Sequence, residues 1–116
     1  MEKKYQSFWS FYPYYLSEHK NPTSRALHFI GTALIFVCLI LGIVTGKWIL
    51  FVVIPFCGYG FAWLGHFFFE KNKPATFQYP LYSLAGDFVM FWQILTGKIQ
   101  QKIKDAENIV STTDRE

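Results

Sequence analysis

From Ala26 to Leu64 the chain carries one charged residue, Lys47. A soluble amphipathic helix shows polar residues along its wet face about once per turn, and this stretch does not. Apolar runs of this length suit a bilayer, which takes about 20 residues per crossing at 1.5 Å rise each. The sequence therefore predicts an all-α fold: an integral membrane helical bundle of three to four helices. A short N-terminal interfacial or re-entrant helix is expected to precede them.

The 116 residues allow one domain. Residues 1–105 are expected to form a single membrane helical domain, and 106–116 a polar, disordered tail. The segment FWSFYPYYL is too short to cross a membrane and is dense in aromatics that favour the water–lipid boundary. It reads as a helix interrupted near Pro13; the alternative is a helix packed inside the bundle. The start lacks a small-residue cleavage site, so no signal peptide is expected. The net charge of +3 does not point to nucleic acid, because the basic residues flank apolar spans, where they suit lipid headgroups. Cys38 and Cys57 lie in apolar runs and read as packing residues.

Asn21-Pro22 signals the start of the second helix, with Asn as N-cap and Pro at the first helical position. It is expected to run to about Thr45, stopped by Gly46. The third helix is expected from about Lys47 to Glu70. Pro55 lies within it, and Gly58, Gly60 and Gly65 allow close helix contact. After Lys71-Asn72-Lys73-Pro74 a fourth helix starts between Thr76 and Pro80 and continues to about Lys104. The hinge at Gly46-Lys47 makes helices two and three antiparallel. The start of helix two, the end of helix three and the start of helix four then share one membrane side. GIVTGK has the wrong glycine spacing for a phosphate-binding loop, and Asn21-Pro22-Thr23 cannot be glycosylated because its middle residue is proline.

This topology gathers the three histidines of the chain, His19, His28 and His66, near one boundary. Glu70 follows His66 by one helical turn, and Asp87 sits at a depth similar to that of His28. The five form a candidate metal-ligand set. Imidazoles with a carboxylate suit iron, zinc or manganese, and such a set with open positions is the arrangement of non-haem Fe(II) oxygenases. An ionisable group within the membrane costs about 2.5–3.5 kcal/mol on insertion scales and so calls for a partner. Asp87 could ligate directly or orient a ligating histidine through its second nitrogen. Blander readings stand beside these. Each histidine could be a hydrogen-bonded interfacial residue, Glu70 could pair with Lys71 or Lys73, and Asp87 could pair with Arg25 or a histidine. Spacing does not separate iron from zinc, and there is no HExxH motif.

The blocks YYLSEHKNPTSRALHFIGT and GYGFAWLGHFFFEKNKPATFQYPLYSLAGDF, with their histidine placement, resemble a family of membrane Fe(II)-dependent 2-hydroxy fatty acid dioxygenases. Its characterised yeast member is the protein for metabolism of phytosphingosine to odd-numbered fatty acids. The resemblance covers roughly residues 8–95. It implies Fe(II) as cofactor. It implies that O2 is used to shorten a long-chain 2-hydroxy fatty acid by one carbon, with release of CO2 and without 2-oxoglutarate. The histidines the family needs carry over to His19, His28 and His66; Glu70 and Asp87 join them from the local blocks, Asp87 also as a catalytic group. Arg25, Lys71 or Lys73 would neutralise the substrate carboxylate. The rival readings are a non-enzymatic membrane scaffold or transport accessory protein, and a zinc hydrolase acting on lipid. Counting three crossings, the side with Lys3, Lys4, Lys20, Arg25, Lys71 and Lys73 is more basic than the side with Lys47, Lys98, Lys102 and Lys104. This puts the cluster at the cytoplasmic face of an inner membrane or endoplasmic reticulum. A ligating histidine must be neutral, so activity measured against pH is expected to fall below about pH 6.

Overall fold

In the computed structural model, which describes residues 4–115, the chain forms five helices and no strand among those residues. Helix α1 spans Phe8–Ser17, α2 Pro22–Thr45, α3 Ile49–Leu64, α4 Pro80–Leu95 and α5 Ile99–Arg115. Helix α3 continues directly into a π-helical turn at Gly65–Glu70, and a 3-10 turn at Ala75–Phe77 leads into α4.

The signals at the ends of α2 act as expected. The Asn21 side chain accepts the N–H groups of Thr23 and Ser24 at 2.8 and 3.3 Å, with Pro22 in the first turn. Gly46 ends the helix at φ +72°, its N–H bonded to the Gly42 carbonyl. The chain then folds back, and α2 and α3 pack as an antiparallel hairpin with very close backbones. A Cβ on Gly31 would lie 2.9 Å from the Cys57 carbonyl oxygen, and one on Gly65 would lie 3.2 Å from the Cα of Ser24. At the open end the Glu70 carboxylate accepts the Asn21 N–H at 2.7 Å, joining the start of α2 to the end of α3.

The hairpin is inside-out relative to a soluble fold. Helix α2 buries Ser24, Arg25, His28, Gly31, Thr32 and Gly42. Its large apolar residues, such as Ile40, Ile43 and Val44, are exposed, as is Phe56 on α3. Helix α2 and the continuous stretch Ile49–Glu70 are both long and apolar enough to cross a bilayer. The 16 residues of α4 reach only about 24 Å at 1.5 Å rise, short of a hydrocarbon core of about 30 Å.

Three expectations change here. The helix predicted to run on to Lys104 breaks at Thr96–Lys98, where Gly97 takes φ +76°. Beyond the break α5 spans Ile99–Arg115, and so runs through the stretch from 106 where a disordered tail was expected. Its residues Ile99, Ile103 and Ala106 recur at helical spacing and bury against Phe11, Tyr15 and Leu16 of α1. The polar average of the segment hid that stripe. The interruption expected at Pro13 is also absent: α1 passes through it, and the carbonyl left without a partner belongs to exposed Trp9. The return of α5 further alters the charge tally. Lys102 lies beside Trp9, Tyr12 and Leu16, so the α5 lysines sit with α1, and Lys47 stands by itself at the hairpin tip.

The close approach at Gly31 supplies a test. Gly31→Ala is expected to lower stability in detergent by about 1–3 kcal/mol through overpacking. Gly60→Ala, whose added Cβ meets nothing within 4 Å, is expected to be neutral or stabilising by up to about 1 kcal/mol. Thermal melts of the two variants check the difference.

Candidate metal centre

Three separate segments supply the histidines. His19 follows α1, His28 lies two turns into α2, and His66 sits in the π-helical turn. All three are buried, and one ligand nitrogen from each lies within 4.8 Å of the others. The ring centroids are 4.4, 4.6 and 4.9 Å apart.

The outer nitrogens fix the tautomers. His19 Nδ1 lies 2.5 Å from the Tyr15 carbonyl oxygen, and His28 Nδ1 lies 2.8 Å from the Ser24 carbonyl oxygen. His66 Nδ1 lies 2.7 Å from Asn72 Oδ1. The Asn72 amide can point only one way, because its Nδ2 donates to the Glu18 carbonyl at 3.1 Å and to the Glu18 carboxylate at 3.3 Å. Each acceptor is a carbonyl-type oxygen, so each Nδ1 carries the hydrogen and each neutral ring keeps a bare lone pair on Nε2. The Nε2 atoms of His19 and His28 are 3.1 Å apart. Two lone pairs at that range repel unless a cation lies between them. Metal–nitrogen bonds of about 2.1 Å at right angles place two nitrogens about 3.0 Å apart, so the donor set fits an ion. Burial holds the His19 imidazole well below its ordinary pKa range, which keeps it neutral and ready to ligate. The acid limit expected from an unperturbed imidazole moves to lower pH accordingly.

Among the described residues the cluster holds three imidazoles and no carboxylate. Glu70, expected as a ligand, instead bonds the first turn of α2, where a carboxylate meets the positive end of the helix dipole. Asp87 lines the same small cavity as the three histidines, but its carboxylate accepts the Tyr15 hydroxyl. Tyr15 thus ties Asp87 to the backbone carbonyl that orients His19. A Cβ at residue 86 would lie 3.0 Å from the Tyr15 ring, so Gly86 makes the room. Arg25 does not present its Nη1 to a substrate; that nitrogen donates to the His19 and Lys20 carbonyls at 2.9 and 2.7 Å, locking the loop that carries His19. Lys71 closes the π-helical turn in a left-handed conformation, φ 56°. Lys71 and Lys73 are both exposed, and neither lines the cavity.

Sequence reasoning missed Tyr15, Glu18, Ser24 and Asn72. The spacings Tyr15–His19 and Ser24–His28, four residues each, match a ring bonding the carbonyl one turn back. Asn72 read only as part of a polar connection.

Residues 5–99 match the family model described as 2-hydroxy-palmitic acid dioxygenase Mpo1-like. The chain belongs to that family. No curated protein and no solved structure matches it. The Mpo1-like chain therefore combines three buried histidines able to hold a metal ion with a family description naming a lipid dioxygenase.

Metal analysis of purified variants tests the ligand set. Alanine at His19, His28 or His66 is expected to abolish bound metal. Asn72→Ala is expected to weaken affinity about 10–100-fold. Glu70→Ala is expected to keep the metal and lose about 1 kcal/mol of stability.

Proposed function

We propose that this Mpo1-like chain is a membrane-embedded Fe(II)-dependent dioxygenase that shortens a long-chain 2-hydroxy fatty acid by one carbon. The convergence of three bare imidazole nitrogens at the buried end of an apolar hairpin carries the reading. The family description supports the substrate class and the reaction type. The balance is 2-hydroxy acid plus O2 giving the shorter acid, CO2 and water, with the bond between the carboxyl carbon and its neighbour broken.

His19, His28 and His66 would hold the iron. Fe(II) bound there would supply the redox chemistry of an O2-dependent cleavage and a positive charge at the polar end of the cavity. Among the described residues no lysine or arginine lines the cavities beside the cluster, so Arg25, Lys71 and Lys73 are not placed to neutralise the carboxylate. Asp87, anchored by the Tyr15 hydroxyl at the edge of both cavities, accepts the hydrogen bond of the 2-hydroxyl and its proton on oxidation. The close α2–α3 contact excludes bulk water around these groups.

The hairpin spans the bilayer. Exposed Trp48 at its tip and exposed Trp63, Phe67 and Phe68 near the cluster mark the two aromatic boundaries. With two crossings, Lys47 stands on one side and the other described lysines and Arg25 on the other, an imbalance that supports a cytoplasmic face for the cluster.

A three-histidine set also suits catalytic zinc, which favours a lipid hydrolase as the second reading. Protein purified in detergent, loaded with Fe(II) and given 2-hydroxypalmitate is expected to consume O2 and yield the acid one carbon shorter. The zinc-loaded form is expected to do neither. Iron-loaded protein without O2 uptake would rule out the dioxygenase.

A further inference from the structure

A second, larger cavity of about 180 Å³ lies between α2, α3 and α4. It adjoins the small cavity under the imidazoles, since His28, Asp87, Tyr59 and Ala62 line both. Away from that polar end its wall is apolar: Ile35 from α2, Ile54 and Gly58 from α3, Leu84 and Phe88 from α4. Ile35 lies seven residues beyond His28, about 10 Å deeper along the helix at 1.5 Å per residue. The cavity is therefore polar where it touches the cluster and hydrocarbon-like as it descends between the helices.

Gly58 sets its width. A Cβ there would lie 2.9 Å from Ile35 Cδ1 and 3.8 Å from Ile35 Cγ1, with no backbone atom among its near neighbours. The glycine is thus not demanded by helix packing, in contrast to Gly31 and Gly65. Any side chain at this position grows toward Ile35 and into the space between the helices.

We infer that this cavity holds the part of the acyl chain next to the reacting carbons, and that Gly58 and Ile35 together decide whether a long chain is accepted. The inference rests on the dioxygenase reading and adds a binding site for the substrate's tail. The occupant follows from the continuity of the cavity with the histidine cluster, its apolar wall, free of lysine and arginine among the described residues, and its position beside two helices apolar enough to cross a bilayer. The carboxylate end lies at His28 and Asp87, and the chain descends past Thr32 toward Ile35 and Ile54.

The test compares kcat/KM for 2-hydroxypalmitate and 2-hydroxybutyrate in iron-loaded protein. Gly58→Leu is expected to lower the long-chain value about tenfold or more, the scale on which an apolar pocket discriminates by a methylene or two. The value for 2-hydroxybutyrate, which has only two carbons beyond its hydroxyl carbon, is expected to stay unchanged. Gly58→Ala is expected to show a smaller loss of the same selectivity. Adding Ile35→Val, which removes the clashing Cδ1, is expected to restore it; this pair serves even where the leucine variant does not fold. Equal effects on both acids, or none on either, would overturn the tail site while the dioxygenase stands. Failure of the iron-loaded wild-type protein to turn over either acid would overturn both.

Discussion

Lone pairs on neutral imidazoles repel one another, and a fold that points three of them at one place from buried positions must hold each ring against that repulsion. In this chain every ring is held from behind. The Tyr15 and Ser24 carbonyls and the Asn72 side-chain oxygen take the Nδ1 hydrogens and leave Nε2 bare. These holders are themselves fixed: Tyr15 by Asp87, Asn72 by Glu18, and the loop carrying His19 by Arg25. Much of the buried polar chemistry of the chain serves this one arrangement, and the repulsion is relieved when a cation sits at the focus.

The large features were legible in the sequence because they rest on local signals. The nearly chargeless stretch with Lys47 at its middle, the Asn21-Pro22 start and the Gly46 stop together specify a hairpin, and a hairpin brings His28 and His66 to one end. The family blocks pointed to the same three histidines. What was not legible depends on how side chains turn. Glu70 follows His66 by a helical turn, yet it satisfies the N–H of Asn21 across the hairpin, a partner that helical spacing cannot reveal. Arg25 looked free to meet a carboxylate, but the carbonyls it meets belong to a loop whose path no periodicity encodes. The return of residues 99–115 onto α1, and the helix beyond 106, were missed for a compositional reason, because three small or aliphatic residues among many polar ones suffice for a narrow stripe against α1.

Two kinds of burial meet at the site. The α2–α3 hairpin buries small and polar residues and turns its aliphatic side chains outward. Helices α1 and α5 do the reverse, enclosing an aromatic and aliphatic core that includes Phe11, Tyr15, Leu16 and Ile103. Helix α4 touches both, through the Phe91 and Phe88 rings against α2 and through Met90 within the α1 core. The metal cluster lies on the seam, with His28 and His66 from the hairpin and His19 from the end of α1.

That seam has a consequence for how the molecule comes into being. A hairpin with its aliphatic side chains outward suits a lipid surround, whereas the α1–α5 pair closes its apolar core on itself. In the two-stage view of membrane assembly, helices of that kind insert first and then associate. His19 follows α1, so the third imidazole joins the other two only where the α1–α5 pair meets the hairpin. A bound ion would then be a rivet through two pieces of opposite polarity, fastening the α1–α5 pair to the hairpin.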